Sequence, residues 1–150
     1  MKLKQVIIFI FLIFLISFIN YKFVFTKNKK YEVIGNVAKP VPYMDEDQIL
    51  INRSVPIKGA KVLITAGKIK HISHSEYINI SNIDSSKIYA YTNRSGEFNV
   101  ELAPGEYTFF LVINDKAYLN SFDNSGNFTS TTINSKVDDL LITDFRDASF

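Results

Sequence analysis

Cysteine is missing from all 150 residues. Its absence excludes disulfide frameworks, thiol nucleophiles, Cys-based zinc or iron–sulfur sites and lipid attachment to an N-terminal cysteine. Acidic residues are missing from the first thirty positions, which carry six lysines. A basic cluster is missing from residues 31–150, where 11 Lys/Arg stand against 15 Asp/Glu, a net charge of −4. Phosphate recognition needs concentrated Lys/Arg, so nucleic acid is not an expected partner. No Gly-x-Ser-x-Gly elbow and no EF-hand spacing occurs, and no stretch after Lys30 keeps a helical period for three turns. What remains is 47% hydrophobic and 21% charged, apolar enough to fold, and its length fits one domain plus a short extra segment.

That extra segment comes first. Residues 6–19 are apolar at every position except Ser17, behind the basic start Met1-Lys-Leu-Lys4. Extended to Phe25, the run makes about 30 Å of helix, the thickness of a bilayer's hydrocarbon core. Lys22 then falls close enough to the helix end for its ammonium to reach the headgroups. The apolar residues contribute on the order of −4 to −8 kcal/mol toward insertion. Signal cleavage needs small residues at −3 and −1, and Ser17 is followed two places later by Ile19. An uncleaved signal-anchor over residues 1–30 is therefore expected, with secretion after cleavage as the alternative. Lysines lie on both sides of the run, so charge does not choose its orientation; the resemblance of the start to an export signal favours the N-terminus inside.

From Tyr31 onward the pattern is short apolar stretches separated by Gly, Asn, Asp, Ser and Pro. Glu97-Phe-Asn-Val-Glu-Leu102 alternates strictly, which predicts a half-buried strand with Phe98, Val100 and Leu102 inward. Residues 106–113 are apolar on both faces, with Tyr107, Phe109, Leu111 and Ile113 on one and Phe110 and Val112 on the other. Such a strand should be central and covered twice. Between these two, Pro104-Gly105 suggests a type II turn with φ > 0 at Gly105. Further strands are expected at 31–37, 60–65, 88–92, 117–122, 129–133 and 137–143. The class is all-β and the expected architecture a sandwich, with long connections at 42–58 and 66–87.

Four pieces in order carry a resemblance: Ile34-Gly-Asn-Val37, Pro56-Ile-Lys-Gly-Ala-Lys-Val62, Tyr91-Thr-Asn-Arg-Ser-Gly-Glu-Phe98 and Ala103-Pro-Gly-Glu-Tyr-Thr108. This arrangement resembles the carboxypeptidase regulatory-like domain over residues 34–113. The resemblance implies a seven-stranded antiparallel β-sandwich of transthyretin-like topology, an accessory module without catalytic residues of its own. Asn93 stands where the family commonly has Asp, and Gly96 suits a left-handed turn that directs Phe98 into the core.

Candidate chemistry is sparse. His71 and His74 could begin a metal site only if a carboxylate such as Asp45, Glu46 or Glu76 joined them; otherwise they belong to a solvated loop. The Asp45-Glu46-Asp47 run reads as solvated surface. Tyr89 and Tyr91 share one strand face and, with Tyr77, are the candidate ligand-binding aromatics, against the alternative that they fill the sandwich. The expectation is a membrane-tethered, non-enzymatic β-sandwich on the non-cytoplasmic side of a bacterial envelope, acting as a structural or protein-interaction module. It requires no cofactor, and its partner is another membrane or envelope protein. The alternative is a carbohydrate- or peptide-binding domain using loops 42–58 and 66–87.

Overall fold

The computed structural model describes residues 11–13, 15, 29–44, 46–47, 50–70 and 75–146. The chain divides into two compact units, residues 1–30 and 31–150. In the first, Phe11, Leu12, Ile13 and Leu15 are helical and exposed. No helix among the described residues is long and apolar enough to cross a membrane. Most of the span expected at 6–19 lies outside the described residues.

The second unit is all-β and consists of two sheets. Its strands are β1 (Tyr31–Met44), β2 (Leu50–Pro56), β3 (Lys61–Ala66), β4 (Tyr77–Asn79), β5 (Lys87–Tyr91), β6 (Glu97–Leu102), β7 (Gly105–Ile113), β8 (Lys116–Tyr118), β9 (Thr131–Ile133) and β10 (Val137–Thr143), with a 3-10 turn at Ile80–Asn82. The first sheet is built around β1. Residues Tyr31–Asn36 pair with β6, Val33–Ala38 with β10 and Ala38–Met44 with β2. The second sheet runs β4-β8-β7-β3-β5, with β9 beside the start of β7.

Period-two patterning explains how the sheets pack. In β6, Phe98 and Leu102 are buried while Glu97, Asn99 and Glu101 are exposed. They join Val33, Val37 and Ile142 of the same sheet and Val62, Ile64, Ala90, Phe109, Leu111 and Ile133 of the other in one core between the sheets. Phe98 and Phe109 meet across it with centroids 6.4 Å apart. The Phe98 ring crosses β1 at Gly35, where an added Cβ would lie 2.4 Å from the ring, so only glycine fits. The opposite side chains of β7 enter a second core. Phe110 and Val112 pack there with Leu63, Ile78, Ile83, Ala117 and Phe128 on the outer face of the second sheet. β7 is thus covered on both faces.

The structure corrects five expectations. There are ten strands among the described residues, not seven, and the β1–β10 pairing is parallel rather than antiparallel. Connection 42–58 is the β1–β2 hairpin, whose strands continue beyond the sandwich as a two-stranded ribbon. Connection 66–87 carries β4 and the 3-10 turn, and its Ile78 and Ile83 close the second core. Gly105 has no positive φ. It opens β7 opposite Ile133, so the expected type II turn does not form.

Candidate binding face at the β5 edge

Antiparallel pairing sets Lys87, Ile88, Tyr89, Ala90 and Tyr91 opposite Thr65, Ile64, Leu63, Val62 and Lys61. Directly opposed residues share a face. Tyr89 therefore lies on the outer side with Leu63, while Ala90 lies in the inter-sheet core with Val62. Tyr91 is 64% exposed and Tyr89 40% exposed, and Lys61 Nζ sits 4.3 Å from the Tyr89 ring centroid. Two residues apart on one strand, the tyrosines stand about 7 Å from each other. A surface aromatic pair with a cation alongside it is the result.

The backbone of β5 has a second use. The Thr92 amide donates to the Ala60 carbonyl at 3.0 Å, so Thr92 faces β3. Strand alternation turns Ala90 and Ile88 the same way and aims the N–H and C=O groups of Lys87, Tyr89 and Tyr91 outward. Among the described residues no strand lies beyond β5.

Several other strand margins differ in ways that follow from their sequences. On β1 past the sandwich, Asp144 donates to Ala38 on the side away from β2, where Ile57 donates to Val37. Positions 40 and 42 share the outward parity of Ala38, and both are proline, so neither offers a donor on that margin. β10 carries Asp138 and Asp139, β6 carries Glu97 and Glu101, and β4 is only three residues long. Charges, prolines and short length discourage strand addition. β5 has a single charge, Lys87, at one end.

Tyr77 is not part of this face. It lies on β4 at the other margin of the sheet, about 19 Å away across four strand spacings. Its register with Tyr118 and Leu111 puts it on the opposite side of the sheet from Tyr89. There it belongs to a fastening. Lys116 Nζ lies 4.1 Å from the Tyr77 ring, Tyr77 packs on Tyr118 at 5.3 Å, and the Arg146 guanidinium lies 5.2 Å from the Tyr118 ring. Arg146 in turn donates twice to Asp144, each bond 2.8 Å. These side-chain hydrogen bonds hold the Asp144 carboxyl below the usual range against the opposing effect of burial.

Two other features were not expected. An open groove of about 120 Å³ is lined by Phe109, Leu119, Ser121, Thr129, Leu141 and Ile142. Asp123 anchors the 123–127 turn, accepting from the Ser125 and Asn127 amides at 2.9 Å and from Lys68 Nζ at 3.2 Å. The Asn127 amide chiefly, opposed by desolvation and helped by Asn127's side chain, Lys68 and Ser125, lowers its pKa to about 2. The Asp-x-Ser-Gly-Asn spacing was the available sequence signal for this turn. Among the described residues no group of three or more His, Asp or Glu is placed to hold a metal ion. His71 and His74 lie outside the described residues, as does Asp45.

No family model and no curated protein matches the chain. Among solved structures, the major plantain pollen allergen Pla l 1 is similar at 16% identity and a TM-score of 0.38, covering 81% of this chain and 98% of its own.

Proposed function

We propose that this protein is a non-enzymatic β-sandwich, tethered to a membrane by residues 1–30 and held outside the cytoplasm, that serves as a protein-interaction module. The outward-facing backbone and exposed tyrosines of β5 are the observation that carries this reading. Free strand edges recruit partners by main-chain hydrogen bonding, with neighbouring side chains giving selectivity. The tether rests on the apolar run at 6–19 and its lysine flanks. Kinship with the carboxypeptidase regulatory-like domain rests on the four ordered motifs between residues 34 and 108.

Hydrogen exchange of the full chain tests the site. The outward amides of Lys87, Tyr89 and Tyr91 are expected to exchange more slowly in native membranes than in dilute detergent. Equal exchange in both would remove β5 as the working surface. Protease added from the non-cytoplasmic side should digest the sandwich in sealed membranes; a soluble product beginning between residues 18 and 35 would reject the tether.

A second reading, a carbohydrate-binding face, draws on the same exposed Tyr89–Tyr91 pair and the Lys61 ammonium beside it. Aromatic faces stack on the apolar side of sugar rings, and this reading predicts shifts of the two tyrosine ring signals on titration with oligosaccharides.

A further inference from the structure

We propose that the partner met by β5 is a second copy of the same strand, paired antiparallel about a two-fold axis at Tyr89. The proposal rests on the interaction reading above and names its partner.

The outward backbone groups belong to Lys87, Tyr89 and Tyr91, which are spaced symmetrically about Tyr89. Antiparallel pairing centred there sets Tyr89 against Tyr89 of the second copy, and Lys87 against Tyr91, in hydrogen-bonded pairs that exchange both bonds. All three outward donors and all three outward acceptors on each copy are then satisfied. The side chains match in this register. Lys87, the one charge of the strand, meets an aromatic ring rather than the other Lys87, a contact of the kind Lys61 already makes with Tyr89. On the inner face Ile88, 38% exposed in one copy, meets the small Ala90 of the other. Large faces small and cation faces ring, and shifting the register by two residues breaks both matches.

The paired strands are only five residues long, less than a stable interface in dilute solution requires. Confinement to a membrane raises the effective concentration of two copies and favours the paired state. Weak association in detergent and strong association in membranes follow.

The absence of cysteine makes the register measurable. In the proposed pairing Ile88 and Ala90 of the second copy form a non-hydrogen-bonded pair with Cα atoms about 4.5 Å apart, within disulfide reach. Two copies of Ile88 stand about 8 Å apart, beyond it. Full-length Ile88→Cys and Ala90→Cys proteins, each checked for retained thermal unfolding, are reconstituted in vesicles and oxidised with copper phenanthroline. A disulfide-linked dimer is expected from the mixture, at least tenfold above either protein alone. Tyr89→Pro removes one outward N–H without touching the ladder to β3, and it should reduce the noncovalent dimer in vesicles at least tenfold. No excess in the mixture, or a dimer unaffected by Tyr89→Pro, overturns self-pairing. If residues 87–91 are nonetheless protected in native membranes, a different partner is present and the interaction reading stands. Loss of both signals overturns both.

Discussion

Two five-residue turns in this protein share one pattern and meet different surroundings. Asn93-Arg-Ser-Gly-Glu97 carries the chain from the second sheet to the first, and Asp123-Asn-Ser-Gly-Asn127 caps the bridge between Phe122 and Phe128. In each, the first side chain accepts from the amides two and four residues later. The glycine amide donates to the first residue's carbonyl in both, and the first amide donates to the fifth carbonyl. Both glycines are left-handed, with φ of +76° at Gly96 and +73° at Gly126. Local sequence chemistry therefore builds the same loop twice. Beyond the loop they diverge. A Cβ at Gly96 would lie 2.7 Å from both the Pro56 Cβ and the Val37 carbonyl oxygen, whereas one at Gly126 meets nothing within 4 Å. The Gly96 turn is wedged into the first sheet, whereas Gly126 faces open space.

The largest effect in this comparison is expected at Gly96. Replacement by Ala combines the left-handed conformation with a clash against backbone, and should lower stability by about 3 kcal/mol in urea unfolding. Gly126→Ala meets the conformational cost alone, about 1 kcal/mol. Equal losses at the two sites would show that the wedge at Pro56 relaxes freely. Gly105→Ala, outside either turn, should change stability by less than about 0.5 kcal/mol, because Gly105 has no positive φ and its added Cβ would approach only the Tyr107 ring, at 3.3 Å.

The smallest effect separates the turns by charge. Asp123 has its folded pKa lowered to about 2 from an ordinary 3.8, so its contribution is present above the unfolded value and is lost as pH falls from about 4 through 2. Asn93 has no such titration. Asp123→Asn should leave the turn's acceptor in place and flatten the loss of urea stability between pH 4 and pH 2. An unchanged acid limb would assign it to other carboxylates, Asp144 foremost, whose pKa is also lowered.

The same contrast explains what was legible beforehand. The alternation of β6 and the two apolar faces of β7 are local patterns, and the strands follow them. β10 spans residues 137–143, where its residues predict a strand, yet its parallel partner β1 is a hundred positions away and leaves no local sign. Tyr77–Asn79 is too short for its period to register, so the cover of the second core reads as a loop. Pro104-Gly105 carries strong turn composition, but pairing with β9 draws Gly105 into β7. At the candidate site, Tyr89 and Tyr91 are legible as neighbours on one strand face. That β5 ends its sheet depends on which strands fail to reach it, and no segment encodes that alone.

The parallel pairing of β1 with β10 has a mechanical consequence. Tyr31 begins β1 at one end of the ladder, and Thr143 ends β10 at the other, joined to Ala38. A load applied between these two points pulls the strands along their length in opposite directions. The ladder bonds then resist together, in shear, whereas an antiparallel hairpin pulled at its two open ends parts one bond at a time. Under tension between residues 31 and 143, the force meets the β1–β10 ladder before it reaches the core.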